Sequence, residues 1–347
     1  MIGLQKIEKY MEIINDVKRS GAIFFDTHMH PLEIIFDEFR YERNKAKKGV
    51  YSFGEEEYAP PFLSNVSEHV PDESSMKLFN KLAILTLRRR YLHIGSKVLE
   101  DHMDFCGIDK GLLLPVAPAV GNADGLMRRV KNYYGEAERF VMGYSIPNTI
   151  SDGDIEQDIA NAREMYNAKV LKIHPNITGI DLRSSAGKER VEKILSASGA
   201  LGMPVVIHGG RSPVLPDMQC WEYAYIDNLR RIDFSVTQSP VIIAHGATFG
   251  CSDDECEEKV IPALKELLDK NNHLFVNTAG VSLRNLELIF RNIDSKRIVF
   301  GSDALYLTQW EGLAKIFHVM ENLNMNIEEN ILSIASLTPG SLLQNAW

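Results

Sequence analysis

The stretch Phe24-Phe25-Asp26-Thr27-His28-Met29-His30-Pro31 decides how this chain is read. Its apolar lead-in, Ala22 to Phe25, places a buried strand at about residues 22–28. Side chains alternate along a strand, so His28 and His30, two apart, point to the same side. Two imidazoles on one face, at the C-terminal mouth of a buried strand, are a ready pair of metal ligands. Pro31 lacks an N–H and ends the run. Taken alone, the pair reads equally well as two ordinary histidines where a strand meets a loop, so the remainder of the chain has to decide.

Working outward, seven more apolar runs follow: 111–116, 139–146, 168–175, 203–210, 240–246, 273–278 and 297–303. Helical patterns alternate with them. Leu4, Ile7, Met11 and Ile14 mark an amphipathic helix over 2–18. Further helices are expected over 123–135, 154–166, 186–201, 218–231 and most of 309–346. Another starts near Ser252, a capping residue followed by Asp253, Asp254 and Glu255 in the first turn. Strands that are apolar throughout and alternate with helices form a parallel sheet buried on both faces. Eight such units predict a closed (β/α)8 TIM barrel in the α/β class. An open dinucleotide-binding sheet would carry Gly-x-Gly-x-x-Gly after its first strand, where this chain has His-Met-His-Pro.

Residues 32–95 break the pattern. They are rich in charge, carry Pro60-Pro61, and hold helical patterns over 33–48 and 75–91. We read them as a mostly helical insertion after the first strand, within a single domain spanning 1–347. It would overhang the mouth beside His28 and His30 as a lid or a dimer surface. His69 and His93, within it, read as structural or solvated.

Composition narrows the function class. The 347 residues are 45% hydrophobic and 24% charged, which is ordinary for a globular protein. A formal net charge of -9 gives no basic surplus to neutralise phosphates, so nucleic acid is not expected as a partner. Arg88-Arg89-Arg90 and Lys47-Lys48 read as solvated helix faces. Four irregularly spaced cysteines suggest neither a disulfide framework nor a zinc finger. No signal peptide and no run of about 18 apolar residues is evident, so a cytoplasmic protein without membrane contact is expected.

In a barrel of this kind the working groups sit at the C-terminal ends of the strands. Those ends carry His28 and His30 (strand one), Lys172 and His174 (four), His208 (five), His245 (six) and Asp303 (eight). Half of the chain's ten histidines therefore converge on the barrel mouth, and a carboxylate closes the ring. Imidazole with one carboxylate suits zinc first, then iron, manganese, nickel or cobalt.

Asp26-Thr27-His28-Met29-His30, Val170-Leu171-Lys172-Ile173-His174-Pro175, Val205-Val206-Ile207-His208-Gly209, Ile242-Ile243-Ala244-His245-Gly246 and Phe300-Gly301-Ser302-Asp303 together resemble the amidohydrolase superfamily of metal-dependent barrel enzymes. The similarity is to its amidohydrolase-related branch, which holds hydrolases and non-oxidative decarboxylases. It runs from about residue 20 to the C-terminus and leaves 32–95 unmatched.

The resemblance implies that His28, His30, His208 and Asp303 bind a divalent metal, zinc before others. Asp303 would also exchange a proton with the metal's water, and His245 would either ligate or stabilise developing charge. Lys172 would either hold an anionic substrate or, if carboxylated, bridge two metals; one ion is the expectation. His174 is expected to contact substrate or to pack under Pro175, and Arg211 to clamp a substrate carboxylate or to lie in solvent. Asn277 and Thr278 suit a wall of the site. Trp221, Tyr223 and Tyr225 read as helix packing. The leading function is hydrolysis of a small, anionic amide, ester or lactone by a metal-activated water. The alternative is decarboxylation of a small aromatic or unsaturated acid, which uses the same ligand set. A catalytically silent barrel would lack ligands, and none is missing. A homodimer is the default oligomer.

Overall fold

The computed structural model describes residues 4–31, 96–117, 123–135, 137–213, 215, 217–304, 307 and 309–344. The expected insertion at 32–95, with its two histidines and basic runs, lies outside the described residues.

Eight strands form one parallel sheet in sequence order: β1 Phe25–Met29, β2 Lys110–Leu113, β3 Phe140–Tyr144, β4 Val170–Ile173, β5 Val205–Ile207, β6 Val241–Ile243, β7 Leu274–Asn277 and β8 Ile298–Val299. Every expected strand is present, at the expected place and shorter. The ring closes through the residues after β8. Thr27 N–H and its hydroxyl both donate to Phe300 O, at 2.9 and 2.6 Å, and Asp303 N–H donates to His28 O at 2.8 Å. Met29 pairs with Ala304 in a parallel bridge. The (β/α)8 TIM barrel is therefore the architecture.

Phe25, Val141, Val170, Val206, Ile242 and Val299 meet inside the ring, and Leu343 packs into the same cluster. Outside, helices lay one apolar stripe on the strands. In Ile155–Tyr166 the buried positions are Ile155, Ile159, Ala162 and Tyr166, the spacing that one face of a 3.6-residue helix requires. Each fully buried isoleucine contributes about 1.5–3 kcal/mol. Ser184, Ser252 and Ser282 cap helices by accepting backbone N–H groups of Gly187, Glu255 and Asn285. The cap expected at Ser252 is thus where the sequence put it.

The helix expected over 218–231 is not continuous. Only Met218–Cys220 and Ile226–Leu229 are helical, with extended backbone at Tyr225 (φ -64°, ψ 152°) between them. The carboxamide of Asn176 takes the carbonyls of Cys220 and Trp221, both at 2.8 Å. Those are acceptors a continuous helix would have used for itself. Trp221 and Tyr225 are still buried packing residues, as expected. Among the described residues no helix is long and apolar enough to cross a membrane.

Candidate metal centre

Parity alone would not put both Phe25 and His28 inside the ring, since they are three residues apart. Pairing with β2 slips by one residue between Asp26 and Met29, and that bulge turns His28 inward after Phe25. His30, two further on, follows it. Their Nε2 atoms lie 3.0 Å apart. Asp303, delivered from the far side of the seam, places Oδ1 3.3 Å from His30 Nε2 and 3.7 Å from His28 Nε2. The donor atoms of His28, His30 and Asp303 all lie within 4.8 Å of one another, and all three residues are buried.

The other strand ends complete the lining. Lys172, fully buried on β4, brings Nζ within 3.1 Å of His28 Nε2. His208 and His245 follow β5 and β6. Their ring centroids lie 4.8 Å apart, and His245 is 5.0 Å from His28. His174 stacks flat on His208 at 3.9 Å and 11°. Its Nδ1 accepts Ile177 N–H at 3.4 Å, so it also caps a short turn, Pro175–Thr178. Phe249, which sequence reasoning passed over, packs against both His208 and His245.

Three of these imidazoles have a partner that fixes where a ring proton sits. His30 Nδ1 meets Leu114 O at 2.9 Å and His245 Nδ1 meets Ala279 O at 2.7 Å. A carbonyl only accepts, so both carry a proton on Nδ1 and turn Nε2 into the cluster, where His30 Nε2 meets His28 and Asp303. His208 Nε2 faces Ser212 Oγ and Arg211 O, at 3.2 and 3.4 Å, while its Nδ1 is buried and has no hydrogen-bond partner among the described residues. The grouped donors of His28, His30 and Asp303, with a buried His208 nitrogen that has no partner in the same lining, fit a divalent ion.

Charge and burial set the protonation states. Burial pushes His28, His174 and His208 well below the usual histidine range, with Lys172 adding to it in each case. Burial lowers His245 to about 4, against the pull of Asp303. Lys172 falls to about 7 through burial, opposed by Asp303. Burial alone would raise Asp303, but the hydrogen bond from His30 and the charges of His245, His30 and Lys172 outweigh it and hold the carboxyl below its ordinary value. Neutral His28, His208 and His245 beside an ionised carboxylate are the forms a metal needs.

The backbone at β6 is bent to make this possible. His245 and Gly246 both adopt left-handed conformations, φ 59° and 52°. A Cβ on Gly246 would sit 2.3 Å from Ile289 Cδ1 and in a left-handed backbone, so a side chain there would displace Ile289 and add strain. Gly280, at φ 60°, lets the β7 loop pass between Asp303 and His245; a Cβ would lie 3.3 Å from Asp303 Oδ2 and 3.5 Å from His245 Nδ1.

Arg211 stands apart from this cluster. Its guanidinium donates to Glu255 Oε1 at 2.8 Å and Glu222 Oε1 at 3.1 Å, and lies 4.4 Å over the Tyr225 ring. It is neither in solvent nor open toward the histidines, so a substrate carboxylate would have to displace Glu255 to reach it. Asp26 and Ser302, quoted in the sequence motifs but given no task there, lock the two sides of the seam behind His28. Ser302 N–H and Oγ donate to Asp26 at 3.0 and 2.5 Å.

No family model matches the chain, and no curated protein sequence matches it. Solved structures do. A 5-carboxyvanillate decarboxylase from Novosphingobium aromaticivorans, with bound manganese and 3-methoxy-4-hydroxy-5-nitrobenzoic acid, superposes with a TM-score of 0.55 at 14% identity, covering 94% of this chain and 98% of its own. A probable 2-pyrone-4,6-dicarboxylic acid hydrolase from Acinetobacter baumannii, with citric acid bound, gives 0.51 at 13% identity, covering 92% and 99%. An amidohydrolase from Burkholderia multivorans with bound zinc gives 0.53 at 10% identity, covering 93% and 99%. At these identities the likeness establishes the shared barrel fold.

Proposed function

We propose that the chain is a metal-dependent hydrolase of the amidohydrolase superfamily, acting on a C–N or C–O bond next to the carbonyl of a small anionic substrate. The observation that carries this reading is the buried convergence of His28, His30 and Asp303 across the seam of the barrel. His28, His30 and Asp303 would hold the ion, with His208 Nδ1 as a further donor, and zinc is the ion that such a set suits first. When bound, a divalent ion supplies an acidified water near neutral pH and polarises a carbonyl oxygen.

The protein's own groups do the rest. Asp303, kept ionised, takes a proton from the attacking water and hands it to the leaving group. His245 offers an Nε2 lone pair, fixed by its bond to Ala279 O, that orients this water. Phe249 packs on two of the imidazoles and limits the entry of bulk water. Lys172 and His174 line the side of the site toward β4 and would contact substrate. The decarboxylase alternative needs cations for a substrate carboxylate, and Arg211 is already committed to Glu255 and Glu222. Four free thiols suit the reduced cytoplasm we assign to it.

The test is metal per chain, by elemental mass spectrometry, for the untagged protein and a Lys172→Ala variant, beside turnover of a panel of small esters, lactones and amides. About one ion in both proteins is expected. Asp303→Asn should lower turnover at least about a hundredfold while the far-UV spectrum is unchanged. A protein that takes up no divalent ion on titration would overturn the reading.

A further inference from the structure

We propose that Asn277 holds His28 in the tautomer that opposes metal binding, and thereby sets how tightly the centre takes its ion. The inference rests on the metal reading above and goes beyond it, because it assigns an affinity-determining role to a residue that is not a ligand.

Asn277 ends β7 and is fully buried. Its Oδ1 accepts the backbone N–H of His245 at 2.9 Å and of Ala279 at 3.3 Å. Backbone N–H groups only donate, so the amide orientation is fixed by the network. The NH2 is therefore the group that faces His28 Nδ1, at 3.0 Å. His28 Nδ1 must accept that bond. A neutral imidazole whose Nδ1 accepts carries its proton on Nε2, the atom turned toward His30, Lys172 and Asp303.

The neighbouring imidazoles are arranged the other way. His30 and His245 donate Nδ1–H to carbonyl oxygens and turn Nε2 into the cluster, and His208 Nδ1 has no hydrogen-bond partner among the described residues. Histidines that ligate metals almost always donate the remaining ring N–H to an acceptor. His28 instead has a donor behind it. To offer Nε2 it must move its proton to Nδ1, against the N–H of Asn277. Turning the amide over does not help, because its NH2 would then meet the N–H groups of His245 and Ala279.

An aspartate at this position would keep both backbone bonds on one oxygen and accept Nδ1–H from His28 on the other. Asn277→Asp should therefore tighten the binding of Zn²⁺ to the chelator-stripped protein by about tenfold or more, measured by competition with a chromophoric chelator. The tautomer itself is read from imidazole nitrogen shifts in metal-free protein labelled with 15N-histidine. His28, assigned by its loss in His28→Gln, should be protonated at Nε2 in the wild type and at Nδ1 in Asn277→Asp. Wild-type His28 protonated at Nδ1 would overturn the inference, and this reading needs no variant at position 277 to fold. Tighter zinc binding without a change of tautomer would also overturn it, since added charge would then suffice. Failure of both proteins to take up zinc would sink the metal reading, while the tautomer measurement still decides the assignment to Asn277.

Discussion

Asp26 on β1 and Ser302 beyond β8 are 276 residues apart in sequence and share a 2.5 Å hydrogen bond inside the barrel wall. Asp26 is wholly buried, and burial raises its pKa to about 7 even though Ser302 and the N–H of His28 pull it down. Ser302→Ala takes a donor from this carboxyl and an acceptor from Ala304 N–H, which Ser302 Oγ holds at 2.9 Å. The expected cost is about 1–3 kcal/mol, seen as a lower urea midpoint at unchanged slope. An unmoved midpoint would mean that the seam does not depend on this pair.

Lys172 should give the protein a distinctive alkaline behaviour. Its pKa is about 7 in the fold, lowered by burial, against 10.5 for an ordinary lysine. Between those values the unfolded chain holds the proton and the folded chain has released it. The unfolded state then binds more protons, so stability rises with pH through this window. Below about 7 both states are protonated and the full cost of burying the charge is present. In metal-free protein, the stability of the wild type minus that of Lys172→Met should rise by about 1.4 kcal/mol per pH unit within the window. Parallel curves for the two proteins would show that Lys172 keeps its charge.

Arg211→Ala separates two roles for this side chain. If the guanidinium mainly holds the β5 and β6 loops together through Glu255, the variant loses about 1–3 kcal/mol of stability and KM for an anionic substrate changes little. A clamp on the substrate carboxylate would instead raise KM by about tenfold or more, with the unfolding midpoint in place. Denaturation and steady-state kinetics on one preparation decide between them.

The barrel was legible because eight apolar runs separated by helical patterns leave few other ways to bury themselves. The inward direction of His28 and His30 was legible from their two-residue spacing, and Lys172 and His174 from theirs. What could not be read depends on neighbours distant in sequence. Nothing near position 25 announces the bulge that brings Phe25 and His28 to one side. The helix expected over 218–231 yields to the Asn176 side chain, some 45 residues away. Arg211 looks available in sequence because Glu255 is in another loop. Asn277 was recognisable as a small polar residue at a strand end, but which way its amide faces depends on the backbone of His245 and Ala279.

The seam described above has a consequence for how the molecule is made. Thr27 and Phe300 meet across 273 residues of chain, and contacts of such long separation are closed only after loop entropy has been overcome. His28 and His30 lie on one side of that joint and Asp303 on the other. The three-residue cluster therefore cannot assemble on a nascent or partly opened chain, however complete the other strands are. Ring closure and assembly of the cluster are one event, so an ion captured there would act as a clasp on the finished barrel, and incomplete chains would lack the assembled cluster.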